Sequence, residues 1–333
     1  MSFETEHDSV APDAHSLDFD WRFTARTLAS LIAAISGRKR VLCLGAPTLW
    51  SAAADIAAID TLDLVERNPF LTLANVGEKR TRYVADISSS PFLDLSRRYD
   101  VCVLDSPWYP NDLKCWLGWA IRHLDDDGEI IFSLWPEHTR PSAQSERIDL
   151  FRQLKSFGRY EIKVDQLNYQ VPEFEQRCLS KNGQPLREGR SGDAVHFWPS
   201  TKARACWPIP TAIPMSAWLR LQSGVKQVAI RITPDRGSRE FVSIFKDQTW
   251  QLKTVSRRDR TRPQIDFWTS DGFVAAVPNT TKLIEEITKS VESIRAPHSE
   301  IAQLYRELFS IGKIDINRLK KMNWIQIEWN YLN

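Results

Sequence analysis

The stretch Tyr99-Asp100-Val101-Cys102-Val103-Leu104-Asp105-Ser106-Pro107-Trp108-Tyr109 decides how this chain is read. A short apolar run that stops abruptly at Asp-Ser-Pro reads as a buried strand ended by a polar turn. A Trp-rich stretch, Asp112 to His123, follows with helical spacing. Working outward, Val41–Gly45, Thr61–Glu66 and Tyr83–Asp86 read as three shorter strands upstream, and Gly128–Trp135 as a fifth downstream. Asp125-Asp126-Asp127-Gly128 reads as the turn before it. Leu28, Leu31, Ile32 and Ile35 recur at i, i+3, i+4, i+7, one buried helical face, with Gly37 placed to end it. Further helices are expected over Leu49–Ala58 and Ser145–Phe157. Tyr160–Tyr169 and Ala194–Trp198 complete a strand pair around the polar stretch Ser180–Asp193. Strands alternating with helices at this spacing predict βαβ units and a mostly parallel sheet, with the closing pair as an antiparallel edge.

The 333 residues exceed one ordinary core and suggest one large or two modest domains. Lys and Arg total 44 against 42 Asp and Glu, which excludes an acidic solvating protein and a wholly basic nucleic-acid coat. No apolar run approaches a membrane span. The acidic opening, residues 1–19, reads as a disordered tail without a signal or transit pattern. Five cysteines lack any CxxC pair, so neither a disulfide framework nor a zinc ribbon is expected, and a reducing cytoplasm is the natural setting. The composition changes near Pro208, Pro210 and Pro214, which resist both helix and central strand. Residues 20–206 therefore read as one domain and 215–333 as a second. In the second, Val228, Ile230 and Ile232 have strand period, and Phe241–Phe245, Thr249–Val255, Ile265–Trp268 and Phe273–Val277 look like further strands. Helical spacing follows at 283–294 and 301–309, then a last strand around Ile325–Trp329, an α+β pattern.

In an open α/β sheet ligands bind beyond the carboxyl ends of the strands. Asp105, Pro107 and Trp108 stand at that edge. A carboxylate there can accept a hydrogen bond from an amine, a backbone carbonyl can accept a second, and the indole can stack on a planar group. Two acceptors on one nitrogen aim its lone pair at an electrophile.

Asp105-Ser106-Pro107-Trp108 resembles the [DNS]-P-P-[YFW] motif of the N6-adenine type of SAM-dependent methyltransferases. More narrowly, the chain is similar to the branch holding elongation-factor lysine methyltransferases and a zinc-finger ribosomal-RNA adenine methyltransferase. Val41–Thr48, with Gly45-Ala46-Pro47-Thr48 after the strand, fits that branch's first motif, and Phe19–Thr24 with Thr27 resembles its aromatic segment. The resemblance covers roughly residues 19–198 and implies a Rossmann-like methyltransferase sheet followed by a smaller α+β domain. It implies S-adenosylmethionine held by Gly45, Ala46, Pro47, Glu66 and Asp86. Glu66 stands where an acid binds a ribose hydroxyl, and Asp86 where a residue meets the adenine. It implies catalysis by Asp105, Pro107 and Trp108 on an amine of nucleic acid or of protein lysine, and no metal. Ser106 departs from the motif, replacing its first Pro, and Gly45 is the sole glycine of the first motif. These departures carry the alternative of a catalytically degenerate protein used for binding or assembly.

Tyr109 and His138 are candidate substrate contacts at the same edge. Arg257, Arg258 and Arg260, with Arg262 and Lys253, form a basic cluster suited to phosphates, or a solvated loop. The C-terminal domain is the expected surface for a protein partner. Plainer readings stand beside the rest: Asp105 as cap of the next helix, Glu66 as a loop acid, His138 as a loop histidine. Trp116 and Trp119 read as core, and Tyr169, Pro172, Glu173 and Phe174 as a loop covering the pocket or a simple connection.

Overall fold

The computed structural model describes residues 15–18, 20–68, 79–88, 94–181, 183–185, 189–208, 218–223, 226–231, 262–270, 272 and 274–275. Helix α1 (Ala25–Ile35) begins where the Thr24 side chain accepts from the Thr27 N–H, and it buries Leu31 and Ile35. Strand β1 (Arg40–Leu44), helix α2 (Pro47–Ala52), β2 (Thr61–Glu66), β3 (Arg80–Val84) and β4 (Tyr99–Leu104) follow. Then come α3 (Pro110–His123), β5 (Leu124–Leu134), α4 (Ala143–Phe157), β6 (Gly158–Tyr169), α5 (Glu173–Lys181), β7 (Arg190–Pro199) and α6 (Thr201–Cys206).

These strands form one seven-stranded sheet in the order β3-β2-β1-β4-β5-β7-β6. The pairs β1–β2, β2–β3, β1–β4 and β4–β5 are parallel, whereas β7 runs antiparallel to β5 and β6. This is a doubly wound, Rossmann-like sheet with an antiparallel edge. Strand β1 lies inside the sheet, between β2 and β4, and its successive residues serve opposite faces. Leu42 and Leu44 join the core with Phe132, Trp119 and Leu150, while Val41 and Cys43 join the core with Leu31, Leu49 and Trp50. Burial on both faces explains why its sequence is almost continuously apolar.

Two local departures from the sequence reading have clear causes. Strand β5 starts four residues before Gly128, and its ladder shifts so that Tyr99 faces Leu124 while Val101 faces Glu129. The acidic stretch bulges from the ladder, where Arg40 binds the Asp125 carboxylate and Arg204 donates to the carbonyls of Asp125 and Asp126. Glu173–Lys181 is a helix rather than a loop.

Four further strands, β8 (Trp218–Ser223), β9 (Lys226–Arg231), β10 (Phe267–Thr269) and β11 (Val274–Ala275), make an antiparallel sheet in the order β11-β10-β9-β8. The strands expected over 241–245 and 249–255, the helices over 283–294 and 301–309, and the strand around 325–329 lie outside the described residues. The expected tail ends in structure. His15, Ser16 and Leu17 are buried, with Leu17 packed on Ala229, Ile265, Trp268 and Val274, and the His15 ring against the Trp268 carbonyl at 3.2 Å. One leucine on an otherwise polar stretch carries no periodic signal, and the sheet that receives it is distant in sequence.

Candidate functional site

The order of the sheet reverses between β1 and β4, the place where crevices open in such sheets. A cleft of about 350 Å³ lies there, beyond the carboxyl ends of β1, β2, β3 and β4. Its wall includes Gly45, Ala46, Pro47, Glu66, Asp86, Asp105, Pro107, Trp108 and Tyr109, residues drawn from four separate segments.

Gly45 makes the crossing possible. Its φ is +64°, and an added Cβ would fall 2.7 Å from the Trp116 ring and 3.1 Å from the Asp105 carbonyl. Its N–H donates to the Val65 carbonyl, and the Asp105 N–H donates to the Leu44 carbonyl, both at 2.9 Å. The ends of β1, β2 and β4 are thus fixed together. Trp116, read from sequence as core, lines the cleft from α3 and donates from Nε1 to Ser88 Oγ at 3.0 Å. Trp119 is buried as expected.

Asp105 sits in the floor. Its Oδ1 accepts from Ser133 Oγ and from Tyr169 OH, each at 2.8 Å. Oδ2 has no hydrogen-bond partner among the described residues. Burial pushes the carboxyl up to about 7, against the two hydroxyl donors, and nearby Asp20 adds to the rise. The cap reading does not hold: α3 starts at Pro110 with Tyr109 as its N-cap. Ser106 is buried, and the Pro107 carbonyl accepts from the Tyr109 N–H at 2.6 Å.

Glu66 ends β2 and accepts from the Asn68 N–H on Oε1 at 2.9 Å. Burial pushes its carboxyl up to about 7, against that bond, with Asp18 and Asp20 reinforcing the rise. Asp86 is more fully engaged: Oδ1 accepts from the Ser88 N–H at 3.0 Å and Oδ2 from Arg67 Nη1 at 3.3 Å. Arg67 also reaches Asp18 at 3.4 Å and donates to the Leu17 carbonyl. Burial works to lower its pKa, but the carboxylates of Asp86, Asp18 and Glu66 hold it above the usual value.

The opposite wall is aromatic. Tyr169 packs against Phe23 at 5.0 Å and meets Trp108 edge-on at 5.8 Å. The end of β6 is stitched to the start of α1, since Thr27 Oγ1 bonds both main-chain groups of Asn168. That stitching brings Asp20 and Trp21 onto the cleft. A Cβ on Gly192 would come within 2.9 Å of Trp108, so this glycine leaves room for the indole.

His138 is exposed and does not line the cleft; its neighbours Thr139 and Arg140 do. The turn that closes on Thr139 N–H to the Pro136 carbonyl turns these two inward. Glu175 and Tyr169 also line the cleft, from the stretch expected to cover it, whereas Pro172 and Glu173 do not. Arg257, Arg258 and Arg260 lie outside the described residues. Arg67, Arg190, Ser133 and Trp116 were not singled out as site residues from sequence. Only Trp116, one turn ahead of Trp119 on the helix after Asp105, carried a readable signal. Among the described residues no cluster of metal-ligating side chains occurs, and no helix is long and apolar enough to cross a membrane.

No family model and no curated protein matches the chain. Solved structures resemble it in part. A branched-chain polyamine synthase from Thermus thermophilus, in complex with N4-aminopropylspermidine and 5'-methylthioadenosine, is 15% identical with a TM-score of 0.48; the match covers 56% of this chain and 60% of that one. A putative RNA methyltransferase from Pyrococcus horikoshii is 13% identical with a TM-score of 0.40, over 56% of this chain and 91% of that one. A putative O-methyltransferase from Klebsiella pneumoniae is 18% identical with a TM-score of 0.34, over 52% and 78%.

Proposed function

We propose that this chain binds S-adenosylmethionine and transfers its methyl group to an amine, adenine N6 of a nucleic acid or a protein lysine. One observation carries the reading: Asp105 Oδ1 is tied by two hydroxyls in a cleft that also holds Glu66 and Gly45. The residues fit the cofactor. Gly45 keeps the strand ends close without a side chain in the way. Glu66 retains an oxygen with no hydrogen-bond partner among the described residues, suited to a ribose hydroxyl. Asp86 and Arg67 close the far wall.

The cofactor supplies an electrophilic methyl on a sulfonium. The protein supplies position. Ionised Asp105 offers Oδ2 to a proton of the acceptor amine, while Ser133 and Tyr169 stop the carboxylate from rotating. Holding that proton directs the nitrogen lone pair along one line, an orientation effect. The methyl would pass to the nitrogen as its bond to the sulfonium sulfur breaks, leaving a neutral thioether, and the amine's surplus proton would pass to Asp105 or to water. Trp108 and Trp21 border the approach.

Calorimetry with S-adenosylmethionine tests the reading. Binding is expected, and Glu66→Ala should weaken it by about 1.5–3 kcal/mol through loss of charge-assisted hydrogen bonds. Absence of heat and of thermal shift at saturating ligand would leave the second reading, a methyltransferase-like fold kept for binding or assembly. Ser106 in the motif and the Arg190 side chain over Trp108 are the features that favour it.

A further inference from the structure

Ser106 stands between Asp105 and Pro107, at the point where the chain departs from the motif it resembles. It lines the cleft and is only 4% exposed. Its hydroxyl has no hydrogen-bond partner among the described residues. The nearest carboxylate does not take it: Asp105 Oδ1 accepts from Ser133 and Tyr169 instead, and Oδ2 has no partner among the described residues. A proline at this position would bring neither a hydroxyl nor an N–H. A buried hydroxyl left unpaired costs free energy, and a ligand that bonds it recovers that cost.

We infer that Ser106 is a specificity-determining residue for the acceptor: its hydroxyl donates to a ring nitrogen beside the amine that Asp105 holds. The inference rests on the methyltransferase reading and narrows its acceptor to an aminated heteroaromatic base of a nucleic acid. Consecutive Cα atoms lie about 3.8 Å apart. A carboxylate and a hydroxyl on adjacent residues that line one cleft can therefore meet adjacent atoms of one planar group. Such a base presents an amine N–H next to a ring lone pair, the complement of Asp105 as acceptor and Ser106 as donor. A lysine ammonium presents only N–H donors and would leave the Ser106 proton unpaired.

Adenosine, 1-deazaadenosine and 7-deazaadenosine are the probes. They are titrated by calorimetry into protein saturated with S-adenosylhomocysteine, so that the cofactor's place is filled and no transfer occurs. Wild type should bind adenosine about tenfold more tightly than one of the two analogues, the one lacking the nitrogen that Ser106 reads, because a site with a buried polar group rejects a ligand that leaves it unpaired. Ser106→Ala should erase that preference and leave S-adenosylhomocysteine affinity unchanged. If Ser106→Ala does not fold, Ser106→Cys, close in size and a weaker donor, carries the same expectation in weaker form. A preference that survives in the variant, or no preference in wild type, overturns the inference. So does failure of adenosine to bind, or tighter binding of n-butylamine, which stands for a lysine side chain. Failure of S-adenosylhomocysteine itself to bind would sink the methyltransferase reading; an adenosine preference that still depends on Ser106 would then leave Ser106 reading a base in a binding cleft.

Discussion

Asp100 and Asp105 stand at opposite ends of β4, and the chain treats them differently. Asp100 accepts from the main-chain N–H groups of Lys39 and Arg40 and pairs with the Arg40 guanidinium at 2.7 Å. Burial works to raise its pKa, but the Arg40 hydrogen bonds outweigh it and hold the carboxyl below the usual range. Among the described residues Asp105 meets only two hydroxyls, and burial wins. The same contrast recurs on β5. At its amino-terminal half Glu129 is held low, against its burial, by His196 at 2.5 Å and by Arg38. Nearer its carboxyl end Ser133 serves Asp105. At the amino-terminal side of the sheet, Asp100 and Glu129 each lie against an arginine, Arg40 and Arg38. The other side holds Glu66 and Asp105 with neutral donors, which leaves a proton-accepting charge facing a cleft. Asp100 is paired, whereas Asp105 is oriented without a cation, the state that leaves a carboxylate able to exchange a proton.

The largest expected effect separates the two aspartates. Asp105→Ala should lower methyl transfer to RNA, DNA or protein by about 10²–10⁴-fold, with S-adenosylmethionine affinity changed little. Asp100→Ala should leave transfer intact and lower stability by about 1 kcal/mol. Transfer of labelled methyl and a urea melt read both, and activity surviving Asp105→Ala would break the contrast.

The glycines flanking β1 give a second, smaller comparison. Gly45→Ala forces a side chain to φ +64° and into the Trp116 ring. It should cost about 2–4 kcal/mol from backbone strain and overpacking together. Nothing lies within 4 Å of a Cβ at Gly37, so Gly37→Ala should change stability by less than about 1 kcal/mol. Denaturant midpoints of the two variants decide it.

The gentlest test is pH. Glu66 and Asp105 have folded pKa values raised to about 7, so the stability they contribute is present below the ordinary carboxylate range and lost as pH rises through about 7. Asp100 and Glu129 are lowered, so theirs is present above that range and lost as pH falls through their folded pKa values. Between pH 5 and 8, melting temperature should rise in Asp105→Asn relative to wild type, increasingly toward pH 8. Asp100→Asn should show no such trend in that window. Methyl transfer should climb through about pH 7 as Asp105 ionises and level off only toward about pH 8. A flat rate profile from pH 5 to 8 would remove Asp105 from that role.

Much of the sheet was legible because the evidence for a strand is local. Thr61–Glu66 reads as a strand of its own length, and Tyr99–Asp105 points at the cleft from its apolar run and abrupt polar stop. The first helix follows from four apolar residues at i, i+3, i+4 and i+7; the Thr24 cap came only with the structure. Less was legible where a neighbour far along the chain decides the outcome. Trp116 has the spacing of a core residue, yet Gly45 leaves room for it to face the cleft. His138 and Arg140 sit in one polar turn, and only the turn's geometry sends the arginine inward.

That Gly45, Glu66, Asp86 and Asp105 share one edge of a doubly wound sheet was already readable from the chain, because strand polarity sets which end each residue occupies. Which of those acids are paired depends instead on contacts between distant segments. Arg67 reaches Asp18 and Asp86, and Arg190 lies over Trp21 and Trp108, across stretches of chain that no local pattern connects. Charge pairing depends on distance and exclusion of water, and both are set only when the sheet has closed.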